Sequence, residues 1–338
     1  MNKEKIKRII PQWLLNFYHK IQYPFHVLPL VEYDARRFIK HSAKSDSEES
    51  LIGLITNNMH SIEKGFTMPD FRYGFGQTRL KEVLDQCIEY MEKYYDQLND
   101  QNNTLIIAAA KTIYDYKTIH LDNHFELPAD IVDKIDTFLH FFPGLTTNTR
   151  QIEITKDKFF KHCSDDFLSF SNSRRSSRIF TNQPVDIQTL KSAICLAQNA
   201  PSACNRQSTR VYLVESKSII ESVFKQQGGN RGFGHTVDKL IVVCGYLGNY
   251  HDTERNCVYV DGGIFTMNLV YSLHYYGIGA CILNWSAKKK RDKTLRQILP
   301  IRDCEVVIDL IACGNVPEVF RLCRSEKKEL DQILTEIV

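Results

Sequence analysis

Ser173-Arg174-Arg175-Ser176-Ser177-Arg178-Ile179-Phe180, followed one helix-length later by Ala200-Pro201-Ser202-Ala203-Cys204-Asn205-Arg206-Gln207, is the part of this chain that decides its reading. Three arginines and three serines in six residues offer a dense set of charge-assisted donors to a phosphate. Arg174 and Arg178 stand four apart with Ser176 between them, so in a turn or a first helical turn their heads converge on one anion. Taken alone, such a run is more often a solvated basic loop. The second stretch changes the balance, because Ser202, Asn205 and Gln207 supply hydroxyl and amide groups suited to the polar edge of a planar ring.

Together the two stretches look like a flavin site. A third motif, Gly277-Ile278-Gly279-Ala280, joins an apolar helical stretch to a strand, where glycines permit a left-handed turn and close backbone approach to a planar ligand. In order and spacing, Arg174-Arg175-Ser176-x-Arg178-x-Phe180, the Pro201-Ser202-Ala203-x-Asn205-x-Gln207 loop and this glycine turn resemble the flavin-dependent nitroreductase family, over a span from about Phe170 to the C-terminus. The resemblance implies an α+β fold, a nitroreductase-like mixed sheet flanked by helices, here preceded by a mostly helical region. It implies FMN as cofactor, NADH or NADPH as a transient reductant, and a homodimer with the flavin at the interface, reached by the second loop from the other subunit.

By the same resemblance, cofactor-binding roles pass to Arg174, Arg175, Ser176 and Arg178, to Pro201, Ser202, Ala203, Asn205 and Gln207, and to Gly277, Gly279 and Ala280. Near the C-terminus Gly314-Asn315-Val316-Pro317-Glu318 stands where relatives carry a Gly-Tyr-Pro-like turn. Arg324, Lys327 and Lys328 compete for a last phosphate cation, and Arg324 is the one assigned. The implied reaction passes a hydride from NAD(P)H to the flavin and then to a small-molecule acceptor. It needs positioning and a screened ring face more than a side-chain acid, so no catalytic residue and no metal ligand are assigned.

At 338 residues the chain is long for one average domain, and the division expected is 1–165, a helical region, and 166–338, an FMN-binding domain. Hydrophobic residues at 43% and charged residues at 25% are ordinary globular values, and a net charge of +3 is too mild for a nucleic-acid partner. Ten cysteines form no Cys-x-x-Cys pair and no zinc-finger spacing, which points to a reducing cytoplasm. Cys195, Cys244, Cys281 and Cys313 sit in apolar runs as small hydrophobes, and Cys204 is a small side chain tolerated in a tight loop. No segment reaches the ~20 apolar residues needed to span a bilayer. The basic N-terminus with Trp13, Leu14 and Phe17 could lie on an anionic membrane, but packing of these residues on the protein is the favoured reading.

The first half reads as helices near 51–64, 77–98, 104–119 and 128–141, the clearest being the stripe of Leu80, Leu84, Cys87, Ile88, Met91, Tyr95 and Leu98. Polar loops fall at 42–50 and 100–103. Beyond about Thr146, strand candidates at 210–214, 240–244, 280–285 and 306–312 make one sheet, with helices near 187–199 and 259–276. The last helix is apolar nearly all round, hence a core helix or a subunit interface. Gly228 to Gly234 does not match a dinucleotide fingerprint and reads equally as a lid or a surface turn. His60, Glu63 and Lys64 share a helix face and could bind a polar or anionic substrate, but a surface ion pair with a glycine cap at Gly65 explains them more cheaply. This segment with the later Gly74-Phe75-Gly76 looks like the extension of nitroreductase-like proteins associated with bacterial surface-polysaccharide synthesis. The opposing class is a scaffold on the same fold, without cofactor, that docks a partner through its helical half.

Overall fold

The computed structural model describes residues 11–42, 47–94, 104–146 and 152–337. Five helices come first: α1 (Gln12–His41), α2 (Glu48–Phe66), α3 (Gln77–Tyr94), α4 (Thr104–Asp122) and α5 (Ala129–Leu139). The apolar stripe of α3 buries Leu80, Leu84, Cys87 and Met91 against Leu51, Ile55, Met59 and Ile62 of α2 and Ile106, Ala110 and Ile113 of α4, and this core belongs to the helical region alone. Tyr95 and Leu98 of the predicted stripe, and the loop at 100–103, lie outside the described residues. Ser47 caps α2, its Oγ accepting the Ser50 N–H at 3.2 Å, so the predicted loop ends where the helix has a side-chain acceptor for its first free donors.

The second half follows as β1 (Ile152–Thr155), α6 (Lys156–Phe160), α7 (Phe167–Ser173), α8 (Ile187–Ala197), β2 (Thr209–Val214), α9 (Lys217–Phe224), β3 (Lys239–Tyr246), α10 (Cys257–Tyr275), β4 (Gly279–Asn284), α11 (Lys289–Ile298), β5 (Glu305–Gly314) and β6 (Val319–Leu322). The four expected strands form one antiparallel sheet in the order β2-β3-β5-β4. Its centre, β3, is buried along nearly its whole length, which is why its sequence is a continuous apolar run rather than an alternating one. One face packs on α9 and α11, the other on α8 and α10. The protein is thus α+β with a helical region before the sheet, as the sequence implies, but among the described residues every strand pair is antiparallel, where a mixed sheet was expected.

The sequence reading missed the short β1 and β6, which pair antiparallel, Ile154 opposite Phe320. Residues 152–160 fall before the expected 165/166 division, yet Phe159 packs with Val316, Phe320 and Leu322 of the second half. The α1 helix was also missed as an element, and the expected packing of its N-terminal apolar residues is corrected: Leu14 is 42% and Phe17 60% exposed, while the Trp13 side chain lies outside what is described. Its described tie to the body is polar, Asp34 receiving N–H bonds from Arg255 and Asn256 just before α10. Cys195 is exposed rather than a buried small hydrophobe, because it faces away from the Leu190, Ala193 and Ala197 stripe of α8. The Gly228 to Gly234 segment is neither lid nor free turn: Phe233 is fully buried and Asn230 donates to Phe224 O and Gln227 O, which fixes the loop on the core.

Candidate functional site

Asp166 caps α7 by accepting from Ser169 N and Ser169 Oγ, and the helix stops at Ser173, where Arg174 turns extended. From there the chain runs beside the sheet. Ser177 N–H donates to Ala280 O at 3.0 Å and Thr181 N–H to Asn315 O at 2.7 Å. Two glycines make room for this segment. A Cβ on Gly279 would lie 2.8 Å from Ser177 Oγ and 2.5 Å from Val316, and one on Gly314 would lie 2.7 Å from Phe180. Gly279 and Ala280 therefore serve the extended arginine segment, residues 174–180, by close approach, while Gly277, at φ +71°, supplies the left-handed turn that ends α10.

Held this way, Arg174, Arg175, Ser176 and Arg178 line one cleft of about 560 Å³, closed on the far side by the strap from Cys323 to Glu329. Arg324, Lys327 and Lys328 all lie on that strap and all line the cleft. Arg324 is anchored by Asp115 of α4 at 2.7 Å, a pair almost wholly buried. Arg175 donates to Arg324 O at 2.8 Å, so its side chain ties the arginine segment to the strap. Arg174 differs from both. Its Nε is buried with no hydrogen-bond partner among the described residues, and burial, more than its neighbours, pulls its pKa down. A buried guanidinium donor without an acceptor is costly.

His60 is the residue that sequence reasoning undervalued. Its Nε2 stands 3.3 Å from Arg178 Nη2 and its Nδ1 3.2 Å from Glu63 Oε2. Guanidinium can only donate, so Nε2 accepts and the proton sits on Nδ1, facing Glu63. The expected surface ion pair is corrected on both counts: Glu63 is 8% exposed, and α2 runs through Gly65 to Phe66. Gly65 is a packing glycine, since a Cβ there would fall 2.0 Å from the Phe75 ring. His60, Glu63 and Cys323 bring possible metal donors within 4.8 Å of one another, but Arg178 also donates to Cys323 Sγ at 3.2 Å. A fixed cation on two of the three donors opposes a metal ion. The signal available in sequence was the i, i+3 pairing of His60 and Glu63; its position against Arg178 was not.

The second loop stands elsewhere in the chain. Pro201, Ser202 and Gln207 line a separate pocket of about 310 Å³ with Asp261 and Arg210. Cys204, Asn205 and Gln207 all have positive φ, 51°, 53° and 48°, a conformation that non-glycine residues adopt at a cost. What holds them is Asp261, which is 4% exposed and accepts the Ala203 N–H on both oxygens at 3.1 Å and the Tyr250 hydroxyl at 2.7 Å. Asn205 Oδ1 accepts from Gln207 Nε2 at 3.2 Å. Such stored strain is typical of loops shaped for a ligand. Asp261→Ala is expected to lower stability by about 1–2 kcal/mol through the stranded donors, read as a reduced urea midpoint at unchanged m-value.

The Nitroreductase family model matches residues 172–228, the arginine segment and the second loop together. No curated protein matches the chain. Among solved structures it is similar to a nitroreductase family protein from Streptococcus pneumoniae TIGR4, at 22% identity and a TM-score of 0.43 over 51% of this chain and 100% of that one. An FMN-dependent nitroreductase from Clostridium difficile R20291 aligns at 20% identity and a TM-score of 0.41, over 50% of this chain and 94% of that one. Among the described residues no helix is long and apolar enough to cross a membrane.

Proposed function

We propose that this chain is an FMN-dependent oxidoreductase that takes electrons from NADH or NADPH and passes them to a small organic acceptor. The observation that carries the reading is the buried, unpartnered Arg174 Nε in a cleft shared with Arg175, Ser176 and Arg178, inside the segment that the family model matches. The donor set fits a ribityl phosphate: Arg174 and Ser176 bind the anion, Arg175 holds the strap in place, and Arg178 offers a cation deeper in the cleft. FMN, when bound, supplies reversible hydride chemistry. The side chains orient it and exclude water, and no proton-transferring residue is required of them.

The exposed apolar side of α10, with Tyr259, Val260, Ile264 and Met267, supports the homodimer, since its opposite side is already committed to the core. In that dimer the strained Pro201–Gln207 loop of one subunit serves the cleft of the other. A cytoplasmic location follows from the nicotinamide reductant, and an acceptor from surface-polysaccharide synthesis is the finer reading of the helical region. One observation favours the alternative of a partner-binding scaffold: α1 exposes Phe17, Ile21, Phe25, Leu28 and Phe38.

An absorbance spectrum of the purified protein, before and after anaerobic NADH or NADPH, separates the two. Flavin bands near ~450 nm that bleach are expected. A colourless protein that cannot be reconstituted with FMN leaves the scaffold reading.

A further inference from the structure

Beyond His60 the arginine cleft continues into a second cavity of about 300 Å³, sharing with it His60 and strap residues Ser325, Glu326 and Lys327. Its other walls come from the helical region. Met59 of α2 and Leu105, Ala108 and Ala109 of α4 give it an apolar side, and Glu63 gives it a buried carboxylate. The volume is at the lower end of the range for small-ligand pockets, and the apolar side faces a polar one made of Thr56, His60, Glu63, Ser325, Glu326 and Lys327, a combination that suits an amphipathic small molecule.

Glu63 is the informative residue. An ionised carboxylate has about four acceptor sites. Among the described residues it has one hydrogen-bond partner, the Nδ1–H of His60 at 3.2 Å, and that histidine is itself oriented by Arg178. The remaining acceptor capacity belongs to a side chain that is nine-tenths buried and lines the cavity. That carboxylate opens on the cavity, so a ligand seated there takes the place of water on it and is favoured if it brings a hydrogen-bond donor.

We propose that this cavity binds a small organic molecule with an apolar body and a hydroxyl or amine group, the group donating to Glu63 and the body lying on Met59, Leu105 and Ala108. The helical region is then the substrate-binding half of the protein, and the ligand is the electron acceptor of the cleft next door. The acceptor role rests on the function proposed above; the binding site does not.

Titration calorimetry with 2-naphthol and with 2-methoxynaphthalene, which keeps the rings and lacks the donor, tests the site. The expected result is one site that prefers 2-naphthol at least tenfold. Ala108→Trp, which fills the cavity from a partly exposed position, should abolish binding of both probes, with FMN affinity unchanged within threefold. Glu63→Met should abolish the preference while keeping the apolar contacts. Absence of binding, 2-naphthol affinity indifferent to Ala108→Trp, or a preference that survives Glu63→Met overturns the site. In the FMN-loaded protein, kcat/KM for 6-hydroxy-1,4-naphthoquinone, whose hydroxyl is free to donate, should fall at least tenfold in Ala108→Trp, and an unchanged value overturns the acceptor role. A protein that takes no FMN yet binds 2-naphthol in an Ala108-dependent way retains the site and loses the oxidoreductase reading.

Discussion

Replacing Arg174 with alanine is expected to weaken FMN binding by about 100-fold, measured by quenching of flavin fluorescence as apoprotein is titrated with FMN. Hydrogen bonds to charged groups contribute about 1.5–3 kcal/mol each, and a 100-fold change in Kd is about 3 kcal/mol. Arg174 stands at the top of that range because the fold leaves its Nε buried and unpartnered, so its donors meet the phosphate without first giving up another partner. Arg175 is already bonded to Arg324 O, and Arg178 to Cys323 Sγ and His60 Nε2. Arg174→Lys should recover only part of the loss, since an ammonium lacks the planar two-pronged donor set. The apoprotein itself should not be destabilised by Arg174→Ala, because removal of a partly buried guanidinium whose Nε has no acceptor offsets the lost packing. Equal FMN affinity in Arg174→Ala and the unsubstituted protein would remove the phosphate from this cleft.

Stability should fall by about 3 kcal/mol between pH 6.5 and pH 4 through one residue, His274. It lies at the end of α10, 2% exposed, with its Nε2 2.8 Å from Ser173 Oγ and its ring against Phe159, Phe160 and Phe170. Burial first, and the Arg174 charge second, push its pKa down to about 4. Above the ordinary histidine value of about 6.5 both folded and unfolded chains carry it neutral, and it has no effect. As the pH falls from there to about 4, the unfolded chain takes up a proton that the folded chain refuses, so the folded state loses free energy at about 1.4 kcal/mol per pH unit. His274→Gln should flatten that part of a urea-midpoint against pH curve. A slope of the same sign should remain, because burial also lowers the pKa of His120, whose Nε2 accepts the Gly74 N–H at 2.7 Å. An anion beside Arg174 removes the second cause at His274, so FMN should raise its pKa, an effect visible in the imidazole NMR signals.

The sequence by itself determined most of the larger elements and the resemblance that suggests a flavin, because both are written in short stretches. Periodicity placed α2 to α5, α8 and α10, since an amphipathic stripe is a local property of a helix that must bury one side. Apolar runs placed the four strands of the main sheet, and three motifs marked the arginine segment, the strained loop and the glycine turn. β1 and β6 escaped because strands of four residues carry too little pattern, and their pairing joins positions more than 160 residues apart. Only the tertiary structure showed that the helical region reaches the arginine cleft. His60 and Glu63 look like any i, i+3 surface pair until α2 is laid against the arginine segment, where Arg178 orients the imidazole and the Asp115–Arg324 pair ties α4 to the strap. Those contacts span more than 100 residues, and nothing in either segment's own pattern requires the other; long-range packing, not local propensity, brings the helical half to the cleft.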